Sequence, residues 1–212
     1  VYIGATFDSA NNKVVISYSD NGNSAYGTAI VGTVSGTSIS FGTAVVFEAA
    51  TSTYTSATFD SNANKVVIAY RDDGNSQYGT AIVGTVSGTS ISFGTAVVFN
   101  SVSTSDISTT FDSTNNKVVI SYTSSVAGSG TVITGTVSGT SISFDSALVF
   151  DTYGTFSSAT FDSNANKVVI AYRNTSTYGT GIVFTVPTTN NTSFIGITDA
   201  AISSAASGSV TI

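Results

Sequence analysis

One segment occurs four times in this sequence and accounts for most of its length. Its clearest marker, Thr-Phe-Asp-Ser, lies at residues 6–9, 58–61, 110–113 and 160–163, so that the marker phenylalanines are 52, 52 and 50 residues apart. A repeat of this kind is typical of proteins in which each unit is a supersecondary element that buries its apolar face only against its neighbours. The sequence therefore predicts a repeat architecture.

Each repeat is predicted to form four antiparallel strands. The second strand is β-branched and aromatic, and a period of two places Val14, Ile16 and Tyr18 on one face. A turn rich in Ser and Asn precedes it, and a tight Ser-Gly turn follows the third strand. In the first repeat the strands are predicted at residues 5–8, 13–18, 26–34 and 38–47, with a bend in the middle of the last.

Four-stranded repeats of this length fit the blades of a β-propeller, in which four to eight blades surround an axis. We therefore predict an all-β, propeller-like array of four four-stranded antiparallel repeats of about 52 residues, over residues 1–191. A linear stack of β-meanders is the alternative, and it would expose a strand at each end. Residues 192–212 are expected to be a closing strand or the start of a truncated second β module, because the repeat pattern ends at Pro187.

The composition excludes several functions. Charged residues make up 8% of the chain, against roughly 25% in an ordinary soluble domain, and the net charge is −6. The four lysines are distributed one per repeat, so we expect neither nucleic-acid binding nor attraction to an anionic membrane. No apolar run is long enough for a membrane helix, and we expect no membrane insertion. Because methionine is absent, we expect the chain to be a processed part of a longer protein.

Catalysis is not expected, because the chain contains neither His nor Cys and its only Glu, Glu48, falls in a predicted linker between repeats. Glycosidase chemistry would need two facing carboxyl groups. The loops that begin at Asp20 and Asp72 resemble part of the Asp-box turn of sialidase-like propellers and half of a calcium loop. They supply too few carboxylates for Ca²⁺, so we predict no metal site and no cofactor.

The residues that are most constant between repeats are predicted to be structural. Asp8 and Lys13 flank the first hairpin turn, and their counterparts recur in every repeat. They could form an exposed ion pair worth about 0 to 1 kcal/mol, and the Asp could also bond to the turn backbone. Core positions are predicted for the tyrosine that ends each second strand, at Tyr18, Tyr70, Tyr122 and Tyr172.

Ligand binding is predicted in the loops after the second strands, because these vary while their flanks do not. Hydroxyls and tyrosines there suit weak contacts with sugars, and the two arginines suit contacts with anions or sugars. In a four-bladed propeller these arginines would lie opposite each other. The candidate ligand-binding residues are Asp20, Tyr26, Arg71, Asp72, Asp73, Tyr78, Arg173 and Tyr178.

Three segments, residues 61–71, 78–99 and 193–203, carry a family resemblance. They read SNANKVVIAYR, YGTAIVGTVSGTSISFGTAVVF and SFIGITDAAIS, and they resemble repeat-containing virion structural proteins, of the tail-fibre or appendage kind, from marine tailed bacteriophages and related uncultured viruses. The resemblance spans about the whole chain and implies a virion or extracellular location. In such proteins the segment that resembles residues 193–212 leads into a further β module.

The function that we expect is therefore that of a non-enzymatic virion module, displayed on a tail fibre, appendage or capsid surface. Its expected partners are other virion subunits or further copies of itself, and host-cell glycans bound through the variable loops. A purely architectural subunit and a fragment of a bacterial surface adhesin are the alternatives, and a glycosidase is the enzymatic one. Hydrolysis of a sugar would separate the last from the others.

Overall fold

The strands of the protein follow the four repeats. The computed structural model describes residues 2–187 and 200–202. The first repeat contains one 3-10 turn, Asn21–Asn23, and the strands β1 Ile3–Asp8, β2 Lys13–Asp20, β3 Tyr26–Ser35 and β4 Ser38–Phe41. The second contains β5 Val45–Asp60, β6 Lys65–Asp72, β7 Tyr78–Ser87 and β8 Ser90–Phe93. The third contains β9 Val97–Asp112, β10 Lys117–Ser124, β11 Ser129–Ser138, β12 Ser141–Phe144 and β13 Leu148–Asp151, and the fourth contains β14 Thr155–Asp162, β15 Lys167–Arg173, β16 Gly179–Phe184 and β17 Ala200–Ile202.

The strands pair antiparallel, and two long strands connect successive repeats. The first half of β5 pairs with β3, and its second half pairs with β6. Strand β9 joins the second and third repeats in the same way, which produces one sheet of 13 strands. The segment around Glu48, predicted as a linker, is therefore part of a strand, and that prediction was wrong. The fourth repeat forms a separate sheet of four strands, because residues 152–154 interrupt the chain between β13 and β14.

The all-β antiparallel repeats are thus confirmed. None of the described sheets closes into a barrel, and closure of the repeats into a propeller stays a prediction. The closing strand or second β module predicted for residues 192–212 lies outside the described residues, except for β17, which pairs with β16. In the described part of the chain, no helix is long and apolar enough to cross a membrane.

The constant aspartates hold the hairpin turns. The Oδ1 atom of Asp8 accepts hydrogen bonds from the amides of Ala10 and Asn11, both at 3.0 Å. The same pair of bonds recurs at the other three markers, Asp60, Asp112 and Asp162. Lys13 donates instead to the hydroxyl of Thr33, at 2.9 Å. Of the two structural roles considered for these residues, the bond to the turn is therefore confirmed and the Asp–Lys ion pair is wrong.

The core lies between the repeats. The side of each repeat that carries Val66, Ile68 and Tyr70, or their counterparts, packs against the preceding repeat, and we call it the leading face. The opposite side packs against the following repeat, and we call it the trailing face; in repeat one it carries Val15, Ala29, Val31 and Phe47. Three apolar clusters fill the three spaces between consecutive repeats. This arrangement is the one that a repeat protein requires, since each unit completes the core of its neighbour.

One aromatic contact recurs in every space between repeats. Phe47 of repeat one lies 5.1 Å from the ring of Tyr70 in repeat two. The same contact joins Phe99 to Tyr122 at 5.2 Å and Phe150 to Tyr172 at 4.9 Å. These three tyrosines are buried, so the core prediction is confirmed for them. Tyr18 is only half-buried, because no described repeat packs on the leading face of repeat one.

The first strands of adjacent repeats also lie side by side. Strand β1 packs on β5, β5 on β9, and β9 on β14. Hydroxyl side chains link them: the Ser56 Oγ atom accepts a hydrogen bond from the Thr109 amide, and the Ser108 Oγ atom accepts one from the Ala159 amide, both at 3.0 Å. Strands β14 and β1 make no comparable contact. The array therefore has two open ends in the described structure.

Candidate functional site

A strained backbone position occurs five residues before the marker phenylalanine in repeats two, three and four. Tyr54, Asp106 and Phe156 have φ angles of 52°, 50° and 53°, in the left-handed region. The strand register shifts at each position, as in a β-bulge. For a bulky residue this conformation costs about 1–3 kcal/mol, and such strain concentrates at binding sites. The position is therefore a candidate site.

These residues form a row with one member from each repeat. Tyr2, Tyr54, Asp106 and Phe156 each lie five residues before a marker phenylalanine. We call these four residues the bulge row. The rings of Tyr2 and Tyr54 are 4.5 Å apart. The hydrogen bond to Tyr2, followed by burial, raises the pKa of Tyr54. The first two members of the row are thus in direct contact.

Two members of the row lie beneath an arginine. The Arg71 guanidinium stands 5.0 Å from the centre of the Tyr54 ring, and its Nε atom donates to Asp73 Oδ1 at 2.6 Å. Arg173 stands 4.8 Å from the centre of the Phe156 ring, and its Nε atom donates to the Thr155 hydroxyl at 3.1 Å. Both are cation–π contacts. They place each guanidinium group over the face of a ring.

The third member of the row is a carboxylate. Asp106 occupies the position of the aromatic ring in repeat three, and Thr123 occupies the position of the arginine. The Thr123 hydroxyl lies 3.0 Å from Asp106 Oδ2 and 2.7 Å from the Gly154 carbonyl oxygen, and its one proton is shared between these two acceptors. The Ser157 hydroxyl of repeat four donates to the Asp106 carbonyl oxygen at 2.8 Å. A hydrogen-bonding group therefore stands between two aromatic rings that are each covered by a cation.

The predicted site residues all lie at the end of the repeats where the second and third strands connect. Arg71, Asp73 and Arg173 contact the bulge row or its arginines, as described above. Asp20 caps the 3-10 turn by accepting the Gly22 amide at 3.0 Å. Tyr26 and Tyr78 are half-buried at the starts of β3 and β7, whereas Tyr178 is 55% exposed.

Two carboxyl groups at this end have raised pKa values. Asp72 is buried and accepts the amides of Gly74 and Asn75 at 3.0 and 3.1 Å. Burial raises the pKa of Asp72, and these two hydrogen bonds act in the opposite direction. Burial, followed by the charge of Asp72, raises the pKa of Glu48, which accepts the hydroxyl of Tyr70 at 3.0 Å. Both groups are held by structural hydrogen bonds.

The sequence-based prediction missed the bulge row. None of its four members, Tyr2, Tyr54, Asp106 and Phe156, was among the predicted site residues. A signal was present, because these residues repeat with the same spacings of 52 and 50 as the markers, yet differ in chemical type while the strand after them is nearly constant. Variation at a fixed position of a repeat is the same criterion that selected the loops.

The arrangement offers flat apolar rings, bound guanidinium groups and one carboxylate. No group of three His, Cys, Asp or Glu side chains that could hold a metal ion occurs within residues 2–187. Among known proteins, no protein-family model matches the chain, and no curated protein matches it.

Proposed function

We propose that this chain is a non-enzymatic structural module of a virion or another extracellular assembly, and that its bulge row binds host-cell glycans. The binding proposal is carried by one observation: repeats two, three and four each present a different side chain, Tyr54, Asp106 or Phe156, at a strained position of an otherwise constant frame. The virion setting is supported by the resemblance of residues 61–71 and 78–99 to structural proteins of marine tailed bacteriophages.

The chemistry of the row favours a neutral sugar over an anion. Aromatic faces pack well against the apolar C–H faces of sugar rings, and Tyr adds a hydroxyl for hydrogen bonds. The positive charge of Arg71 is already matched by Asp73, at 2.6 Å. Its remaining N–H groups can still donate to sugar hydroxyls, since a guanidinium has five donors. At Arg71, a phosphate or sulfate would have to compete with Asp73, whereas the partner of Arg173 is the neutral Thr155 hydroxyl.

The non-enzymatic proposal is supported by how the carboxylates are used. Asp72 accepts two backbone amides, and Asp73 is paired with Arg71. Glu48 lies on a strand and bonds to Tyr70. Retaining or inverting glycosidases need one carboxyl group as an acid and a second as a base or nucleophile on opposite sides of the substrate bond. Carboxylates that are committed to capping and pairing suit a scaffold better than that chemistry.

We further propose that the repeats act as an open array, the linear alternative to a four-bladed propeller. Closure would bury the leading face of repeat one against the trailing face of repeat four. Phe7 and Phe41 on the former are 54% and 50% exposed, and Ala171 on the latter is exposed. The expected partners are virion subunits or further copies and a cell-surface glycan, without nucleic acid, cofactor or membrane insertion.

A purely architectural role is the second candidate, and the same open faces favour it. Glycan-array binding separates the two. In the glycan-binding case, wild-type protein binds a subset of neutral glycans, and Tyr54→Asn and Phe156→Asn each reduce binding at least about tenfold, because asparagine tolerates the left-handed backbone but lacks the ring. Lys117→Gln serves as the control, since Lys117 bonds to Thr136 and Asp145 away from the row.

Each part of the proposal can fail separately. If both asparagine variants bind as wild type does while Tyr178→Ala does not, the loops bind the glycan and the row does not. If wild-type protein binds no glycan, the architectural role is favoured. Release of free sugar from a polysaccharide by the purified chain would refute the non-enzymatic assignment.

A further inference from the structure

The leading face of repeat one is an apolar surface that the described structure leaves uncovered. Val34 and Ile39 are 57% and 41% exposed on this face. Their counterparts one repeat later, Val86 and Ile91, are 7% and 3% exposed, because repeat one covers them. A contiguous exposed apolar patch of this kind marks an interaction site. The internal repeats show which surface fits it.

In all three internal interfaces, the cover is the trailing face of the preceding repeat. It presents small and β-branched side chains from the second and third strands: Val15, Ala29 and Val31 in repeat one, and Val67, Ala81 and Val83 in repeat two. In repeat four the corresponding residues are Val169, Gly181 and Val183, and Ala171 lies on the same face at the position of Ala69 in repeat two. Here Val169 and Val183 are half-buried and Ala171 is exposed. Among the described repeats, this is the one trailing face without a following repeat.

We propose that the leading face of repeat one binds the trailing face of repeat four of a second copy of this chain, head to tail. The new interface would continue the three internal interfaces, with the second and third strands of repeat four in the place that β2 and β3 take in repeat one. Such a contact is heterologous, because it joins two different surfaces, so it yields either a closed ring or a filament. A ring of two copies would contain eight repeats, within the range of known propellers.

This surface is separate from the bulge row, and the proposal does not depend on glycan binding. It depends on the apolar faces of repeats one and four, whereas the row lies at the end of the repeats where the second and third strands connect. Ring closure and filament growth both require the second copy. The test must therefore block one face at a time without unfolding the protein.

Two substitutions block one face each. Ile39→Lys places an ammonium on the leading face of repeat one, and Ala171→Lys places one on the trailing face of repeat four. Both positions are exposed, so we expect a melting temperature close to that of wild type. Ile91→Lys, at the equivalent buried position of repeat two, is the matched comparison and is expected to unfold the protein.

The association state is measured by sedimentation equilibrium from micromolar to hundreds of micromolar protein. Wild-type protein is expected to form a discrete ring or a ladder of oligomers. Each single variant is expected to associate at least about a hundredfold more weakly, because the interface would bury an uncompensated charge. A mixture of the two variants should form a one-to-one dimer, since one retains an intact trailing face and the other an intact leading face.

Several results would overturn the proposal. Wild-type protein that remains monomeric at every concentration would exclude the interface, as would wild-type assembly by either folded variant. Loss of assembly in Ile39→Lys alone would show that two leading faces pack together instead. Folded, monomeric variants that fail to form a dimer when mixed would also refute the head-to-tail contact.

Discussion

Replacing Gly94 by alanine is expected to destabilise the protein, although Gly94 lies outside every strand. A Cβ atom at Gly94 would lie 1.9 Å from the carbonyl oxygen of Thr140, in the Ser-Gly turn of the next repeat. Gly42 stands in the same relation to Thr89. Since the obstacle is backbone, no side-chain rotation relieves it, and the two turns must separate by about 1 Å.

The size of the destabilisation depends on which core residues this separation displaces. Ile142 and Phe144 lie next to the turn, and both belong to the cluster between repeats two and three. Overpacking of a close-packed contact costs typically 1–3 kcal/mol, and a backbone obstacle belongs at the upper end, about 2–3 kcal/mol. For a chain of this size, that loss lowers the melting temperature by about 4–12 °C.

Gly181→Ala is the matched control. It lies in a strand with nothing within 4 Å of the point that a Cβ atom would occupy, and Ala29 and Ala81 stand at the equivalent positions. Alanine there should stabilise the protein by about 0.4–1 kcal/mol, through the lower entropy of the unfolded chain. Thermal unfolding followed by far-ultraviolet circular dichroism measures both variants. A Gly94→Ala variant that melts within about 1 °C of wild type would refute the close approach of the turns.

Two further changes test the interfaces. Phe99→Ala removes the ring that contacts Tyr122 and Phe144, and it is expected to lower the free energy of unfolding, measured in urea, by about 3–5 kcal/mol. Phe41→Ala, on the open leading face, should lower it by less than about 1 kcal/mol. Equal losses in the two variants would contradict the interface. Glu48 has a raised pKa in the folded state, so the free energy of unfolding should rise as pH falls through that pKa and stop rising below the ordinary value of 4.5. Glu48→Gln should therefore be more stable than wild type at pH 7 and lose this advantage below pH 4.5, and a less stable variant at pH 7 would show that the charged form is favoured.

The strands were predictable where the chain alternates strongly. The run Lys-Val-Val-Ile, followed by an aromatic residue, predicts the second strand, and the turn residues after each marker Asp predict its hairpin. The middle of β5, which connects repeats one and two, was not predictable in this way. Residues 48–56 are mostly small and polar, so they lack the apolar alternation of a strand, yet they pair first with β3 and then with β6. These residues are in a strand because they pair with neighbouring strands. Their local β propensity alone does not predict this.

The sequence singled out two side chains of the candidate site, Arg71 and Arg173, but not the bulge row. Loop variation indicated the end of the repeats at which these arginines lie, and the row lies at the same end. The rings beneath these arginines were missed because a positive φ at Tyr54 or Phe156 has no local sequence signature; aromatic residues rarely adopt it. The register shift at each bulge turns the residue from its expected direction. Only alignment of the repeats reveals that this position varies.

The glycines at residues 42 and 94 show that a repeat is constrained by the repeat that follows it. In repeats one and two, glycine is required because a Ser-Gly-Thr turn of the next repeat lies against it. Repeat three carries Asp145 at this position, with a side chain that is 55% exposed and bonded to Lys117. Repeat four is also the repeat whose sequence replaces Ser-Gly-Thr, with Pro-Thr-Thr at residues 187–189. The loss of the glycine in repeat three and the loss of the Ser-Gly-Thr turn in repeat four occur together. This is expected if the turn of each repeat requires a glycine at the contact position of the preceding repeat.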